Sequence, residues 1–171
     1  MRKWAFVFLL TLFTSLQISS QDNIVLRYDF SSVSGTTVRD LSVSGADASL
    51  AGGATVEAMG KHSVLNLGNS MGHLNMTATA GKAFAALDDY TLSVYYRVDA
   101  EASLSGNGYF LWSFSTSAAC GATSGIYSAY RLNAQRIASS TGGYQNESGY
   151  SVDAPSARAK WIHVAYSQQG N

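Results

Sequence analysis

Carboxylates, imidazoles and thiols are the side chains most able to break bonds, and their placement in this 171-residue sequence is sparse. The three glutamates, Glu57, Glu101 and Glu147, stand far apart, and the one adjacent acidic pair, Asp88-Asp89, would project to opposite faces of any strand that held it. A retaining glycosidase needs two carboxyl groups about 5 Å apart, and no spacing here provides them. The histidines His62, His73 and His163 lack the spacing of a zinc site. Cys120 lies in Ala118-Ala119-Cys120-Gly121, with no neighbouring base or positive charge to activate it, and reads as a small loop or core residue. These residues predict no catalytic centre. What the chain does offer is a recognition chemistry. The stretch Gly142-Gly143-Tyr144-Gln145-Asn146-Glu147-Ser148-Gly149-Tyr150 sets two tyrosines among amides, a hydroxyl and a carboxylate. An aromatic face that stacks on C–H groups beside polar groups that read hydroxyls is what a sugar requires. Tyr144 and Tyr150 are the candidate platforms, Asn146 and Glu147 the candidate polar partners, and Tyr127, Tyr130 and Arg131 form a second set. The competing role for each tyrosine is to pack the core or cover a sheet edge.

The elements that would hold such groups are strands. Apolar residues recur with period two, and helical periodicity is nearly absent. Ile24, Leu26, Tyr28 and Phe30 predict a strand over residues 23–30. Leu92, Val94, Tyr96 and Val98 predict an inward face over 90–98, with Thr91, Ser93, Tyr95 and Arg97 outward. Phe110, Trp112 and Phe114 mark another over 109–116, and Ile162, Val164 and Tyr166 a last one over 161–167. Residues 125–133 and 135–139 read as a hairpin, as do 63–67 and 73–76 joined through 68–72. Residues 141–153 read as loop, and 83–87 as the only helix, one turn long. Many short strands between glycine-rich turns predict an all-β domain of the sandwich or barrel type.

Composition narrows the setting. Eleven basic residues balance eleven acidic ones, so no electrostatic signal points to nucleic acid. A single cysteine excludes an internal disulfide, leaving stability to the core. Arg2 and Lys3 precede an apolar run over 4–13, and Ser15, Ser19 and Ser20 follow. This order predicts a secretory signal peptide, residues 1–21, cut near Ser20 or Gln21. The run is short of the roughly 20 apolar residues a membrane-spanning helix needs, and no later segment reaches that length. The protein is expected to be exported, with one domain over 22–171.

Several stretches, in order, resemble a known family. Tyr28-Asp29-Phe30 followed by Gly35-Thr36-Thr37-Val38-Arg39-Asp40-Leu41-Ser42 is similar to the opening of laminin-G-like domains of the concanavalin-A-like lectin/glucanase superfamily. Val64-Leu65-Asn66-Leu67-Gly68, Gly72-His73-Leu74-Asn75-Met76, Asp89-Tyr90-Thr91-Leu92-Ser93-Val94-Tyr95-Tyr96-Arg97 and Lys160-Trp161-Ile162-His163-Val164-Ala165-Tyr166 resemble its later strands. The loop after Ser42 departs from the family's Gly-Asn-Gly-Asn, Tyr95 stands where tryptophan is commoner, and the expected Tyr-x-Asn-Gly hairpin is missing. The resemblance implies a two-sheet antiparallel β-sandwich, a jelly roll, that continues beyond Asn171. It also implies a carbohydrate-binding or positioning module appended to a secreted glycoside hydrolase, with a downstream catalytic domain as partner. The family's alternative use is protein–protein adhesion, and a degenerate glucanase is a third reading. Some members hold a structural calcium ion. Asp40 and Asp47 would be its carboxylates here, set against the simpler role of Asp side chains capping a turn.

Overall fold

The computed structural model describes residues 23–68, 71–102, 109–115, 125–131, 134–138, 147–151 and 158–170. Strands dominate these residues, all pairings are antiparallel, and the chain divides into two compact units, Met1–Phe84 and Ala85–Asn171.

In the first unit, β1 (Val33–Ser34) and β2 (Thr37–Val38) form a tight hairpin across Gly35 and Thr36. Gly35 has φ 59°, a left-handed value that a two-residue hairpin asks of its first turn residue. β3 (Ala48–Ala51) and β6 (His73–Asn75) extend the sheet in the order β1-β2-β3-β6, while β4 (Thr55–Met59) and β5 (His62–Asn66) form a separate hairpin. The buried set is small-sided: Val38, Ala46, Ala48, Ala54 and Ala80. Small residues let backbones approach closely, and Gly52 shows how closely. Its φ is 62°, and a Cβ there would fall 1.9 Å from the Met71 carbonyl oxygen.

Three expectations are corrected here. Residues 23–30 form no strand: the Arg27 amide donates to Asp40, the Arg27 carbonyl accepts from Leu41, and Asp29 draws the Ser31 amide into a turn. A carboxylate side chain thus takes the Arg27 amide that a ladder would have used, and Phe30 turns the chain at φ 61°. Residues 63–67 and 73–76 do not pair with each other. β5 folds back on β4 through the nearer Gly60 turn, and β6 joins β3. The helix α1 (Ala78–Ala85) starts earlier and runs longer than the 83–87 turn, because Thr77 starts it, its carbonyl accepting from Gly81 and its hydroxyl from Ala80.

In the second unit, β7 (Tyr90–Arg97) and β12 (Trp161–Gln168) pair along eight residues, from Trp161 opposite Arg97 to Gln168 opposite Tyr90. β8 (Tyr109–Ser115), β9 (Gly125–Arg131), β10 (Ala134–Ala138) and β11 (Ser148–Ser151) form a sheet in the order β11-β10-β9-β8. The expected 125–133/135–139 hairpin is present as β9 and β10. Residues 148–151, expected in a loop, are β11, paired with the far edge of β10. The register of β8 against β9 shifts between Phe110 and Trp112, so Leu111 is an extra residue. The bulge separates two jobs. Phe110 packs on Tyr127 and Ala129 of β9, whereas Leu111 packs on Tyr96 and Val164 of the β7–β12 ribbon. Trp112 also reaches Tyr166 of β12, with ring centroids 6.0 Å apart.

Candidate functional site

The inward residues of β7 and β12 are at least half-buried, so the outward set is left to meet solvent. On β7 it is Thr91, Ser93, Tyr95 and Arg97; on β12 it is Trp161, His163, Ala165 and Ser167, all eight exposed. Register brings these into four cross-strand pairs: Arg97 with Trp161, Tyr95 with His163, Ser93 with Ala165, and Thr91 with Ser167. Opposed and diagonal side chains on one face of an antiparallel pair come within reach of one another. The Tyr95 and His163 rings stack with centroids 4.3 Å apart and planes 14° apart. The Arg97 guanidinium lies 5.8 Å from the Trp161 ring centroid and holds Asp99 at 2.8 Å. Ser93 Oγ is 2.8 Å from His163 Nε2, and Thr91 Oγ1 is 2.9 Å from Ser167 Oγ.

Large aromatic area stays in water on this face, with Tyr95 66% and Trp161 48% exposed. Exposed rings bordered by hydroxyls and one ion pair suit an amphipathic ligand with C–H faces and hydroxyl edges. The Ser93–His163 contact has the first half of a hydroxyl–imidazole nucleophile. Among the described residues no carboxylate is bonded to the other imidazole nitrogen.

The residues singled out from the sequence are distributed otherwise. Tyr144 and Asn146 lie outside the described residues, as does Cys120. Tyr150 stands in β11 opposite Gln135. Glu147 precedes β11 and accepts a hydrogen bond from the Tyr127 hydroxyl, so its carboxylate is engaged inside the sheet. Tyr127 itself is 0% exposed and packs edge-on against Phe110 at 5.1 Å. It is a core residue and not a binding platform: Tyr127, Ser128 and Ala129 point alternately to the two faces of β9 and all three are buried.

Asp40 and Asp47 do share a loop, and the loop is built around the Asp40 carboxylate. Oδ1 accepts from the Arg27 and Ser42 amides, both at 2.9 Å; Oδ2 accepts from the Ala46 amide at 2.9 Å and the Ser44 hydroxyl at 2.6 Å. The Ser42 hydroxyl lies 2.8 Å from Oδ2 and 2.6 Å from the Val25 carbonyl, one proton serving both directions. Asp47 accepts from the Asp40 amide at 2.9 Å. Asp40 is 4% exposed. Burial acts to raise its pKa, but the hydrogen bonds from Ser44, Arg27 and Ser42 outweigh it and hold the carboxyl down at about 2. The Tyr28 hydroxyl donates to the Ala46 carbonyl, and burial together with the Asp40 and Asp47 charges pushes it up to about 12. Donors surround Asp40 where a cation would need acceptors, so this geometry is that of a turn-capping carboxylate. Among the described residues no group of three or more His, Cys, Asp or Glu side chains is placed to hold a metal ion.

No protein-family model, curated protein or solved structure matches the chain. No helix among the described residues is long and apolar enough to cross a membrane.

The β7–β12 face was within reach of the sequence. Both strands carry aromatic residues on the polar parity of their alternation: Tyr95 on one, Trp161 and His163 on the other. What the sequence does not reveal is that residues about 70 positions apart are direct neighbours.

Proposed function

We propose that the chain is a non-catalytic, carbohydrate-associated module of an exported protein, and that the outward face of β7 and β12 is its glycan-binding surface. The observation that carries this reading is the pair of exposed rings, Tyr95 and Trp161, on one face with the Ser93 hydroxyl beside them and the Thr91 and Ser167 hydroxyls further along. Leaving such rings in water forgoes their burial at about 25 cal/mol per Å² of apolar surface, a loss that a ligand would recover. The resemblance to laminin-G-like domains supports the same reading and carries with it the two-sheet jelly roll. The charged, apolar and small-residue order of residues 2–20 supports export. A catalytic domain downstream, of the glycoside hydrolase kind, completes the proposal.

The test is binding of xylan, arabinan and β-glucan to the purified chain and to Tyr95→Ala and Trp161→Ala. Loss of one stacked ring is expected to weaken binding about tenfold, roughly 1.4 kcal/mol, while the melting temperature stays within about 2 °C because both residues are exposed. Unaltered glycan binding in both variants overturns the site. Failure of every glycan, with specific capture of a protein ligand instead, replaces the reading with adhesion.

A further inference from the structure

The two rings of the β7–β12 face are each covered on one side by a group from the opposite strand. His163 of β12 covers Tyr95 of β7, and Arg97 of β7 lies over Trp161 of β12. Tyr95 and Trp161 are also diagonal neighbours in the ladder, because Tyr95 opposes His163 and Trp161 is two residues before it. Diagonal positions are about 7–8 Å apart at the backbone, so the two exposed rings stand side by side on one face. One sugar ring cannot stack on both.

From this we infer, resting on the carbohydrate reading above, that the ligand is an internal stretch of an uncharged polysaccharide that crosses the ribbon obliquely and engages both rings at once. Two features beyond the ring geometry point the same way. The face is open along its length: the four outward pairs are all exposed, and the track from Arg97 to Thr91 is about 20 Å at 3.4 Å per residue. The Arg97 guanidinium on the face is bonded to Asp99 at 2.8 Å, so among the described outward residues of β7 and β12 the surface offers hydroxyls and rings beside a charge already matched. A neutral polyol complements it; a polyanion would have to compete with Asp99 for Arg97.

Two linked contacts make the second an intramolecular event, so affinity depends on ligand length. The experiment is calorimetric titration of the whole chain with neutral xylo-, arabino- and gluco-oligosaccharides of one, two, four and six units, and with polygalacturonate. For at least one neutral series, the six-unit ligand is expected to bind at least tenfold more tightly than the single sugar. Tyr95→Ala and Trp161→Ala should each abolish that length dependence, and Tyr95→Phe should keep it. Polygalacturonate should bind more weakly than the neutral hexamer. Equal affinity for one and six units, with either Ala variant still weakening it, overturns the two-ring inference and leaves the glycan-binding surface standing. Tighter, salt-sensitive binding of polygalacturonate overturns the neutral-ligand part. Binding of no saccharide at all overturns the carbohydrate reading beneath both.

Discussion

Removing the Asp40 carboxylate should unravel the loop over residues 40–47 and release residues 25–28 from it. In Asp40→Ala the amides of Arg27, Ser42 and Ala46 and the hydroxyl of Ser44 lose their acceptor together. An unsatisfied buried donor costs about 1–3 kcal/mol. Water entering the vacated space and rotation of the Ser44 hydroxyl relieve part of that, so a net loss of about 3–5 kcal/mol is expected. This is a large share of the roughly 5–15 kcal/mol that holds a typical domain folded. Asp40→Asn keeps one acceptor oxygen for the Arg27 and Ser42 amides but turns an NH₂ group against the Ala46 amide, and should cost about 2 kcal/mol. Ionisation alone accounts for a similar amount. The folded pKa of about 2 against an ordinary 3.8 corresponds to about 2 kcal/mol. That figure is smaller than the Ala loss because a protonated carboxyl still accepts some hydrogen bonds. The sign follows from the depressed pKa. The stabilisation is fully present above about pH 4 and is lost as pH falls toward 2. Hydrogen exchange is the assay, read at the Arg27, Ser42 and Ala46 amides, alongside urea denaturation of wild type and both variants. Faster exchange at these three amides is expected in both variants, and the advantage of wild type over Asp40→Asn should shrink between pH 4 and pH 2. An Asp40→Ala protein within about 0.5 kcal/mol of wild type, or a pH-independent gap, would refute the reasoning.

Further expectations concern separate parts of the chain. Gly52→Ala places a Cβ 1.9 Å from the Met71 carbonyl oxygen at φ 62°, so it should destabilise the first unit by about 2 kcal/mol or more, read by denaturant titration. Tyr28 should titrate in the folded protein near 12, as followed by tyrosinate absorbance. Its raised pKa means its contribution is fully present below pH 10 and lost as pH rises through 12, so Tyr28→Phe should flatten the alkaline end of the stability profile. Tyr127→Phe removes the donor to a partly buried Glu147 and should cost about 1–3 kcal/mol in melting experiments, against little change for Ser148→Ala beside it. In material secreted by an exporting host, mass spectrometry should find the mature chain starting near Gln21 or Asp22.

Period-two alternation determined the strands whose two faces differ. Leu92, Val94 and Tyr96 face inward from β7, and Ile162, Val164 and Tyr166 from β12, as their spacing alone requires, because side chains two apart on a strand share a side. The nearby β9–β10 pairing was also legible, since a short connection leaves little choice of partner. Local polar competition defeated the same reading at residues 23–30. Their apolar alternation is real, but the Asp40 carboxylate takes the Arg27 amide from 13 residues away and Asp29 turns the chain at Ser31, just past the segment. Tertiary structure alone decided that Tyr127, a sugar platform by composition, lies in the core, since Phe110 packs on its ring and its hydroxyl is bonded to Glu147. It decided the candidate site as well. Tyr95 and His163 were each assignable to the outward side of a strand, but a stacked pair needs strands 7 and 12 to be neighbours in one register. That register is set by matching the inward residues of both strands to one buried cluster around Tyr96 and Val164, an arrangement spread across the chain and carried by no local pattern.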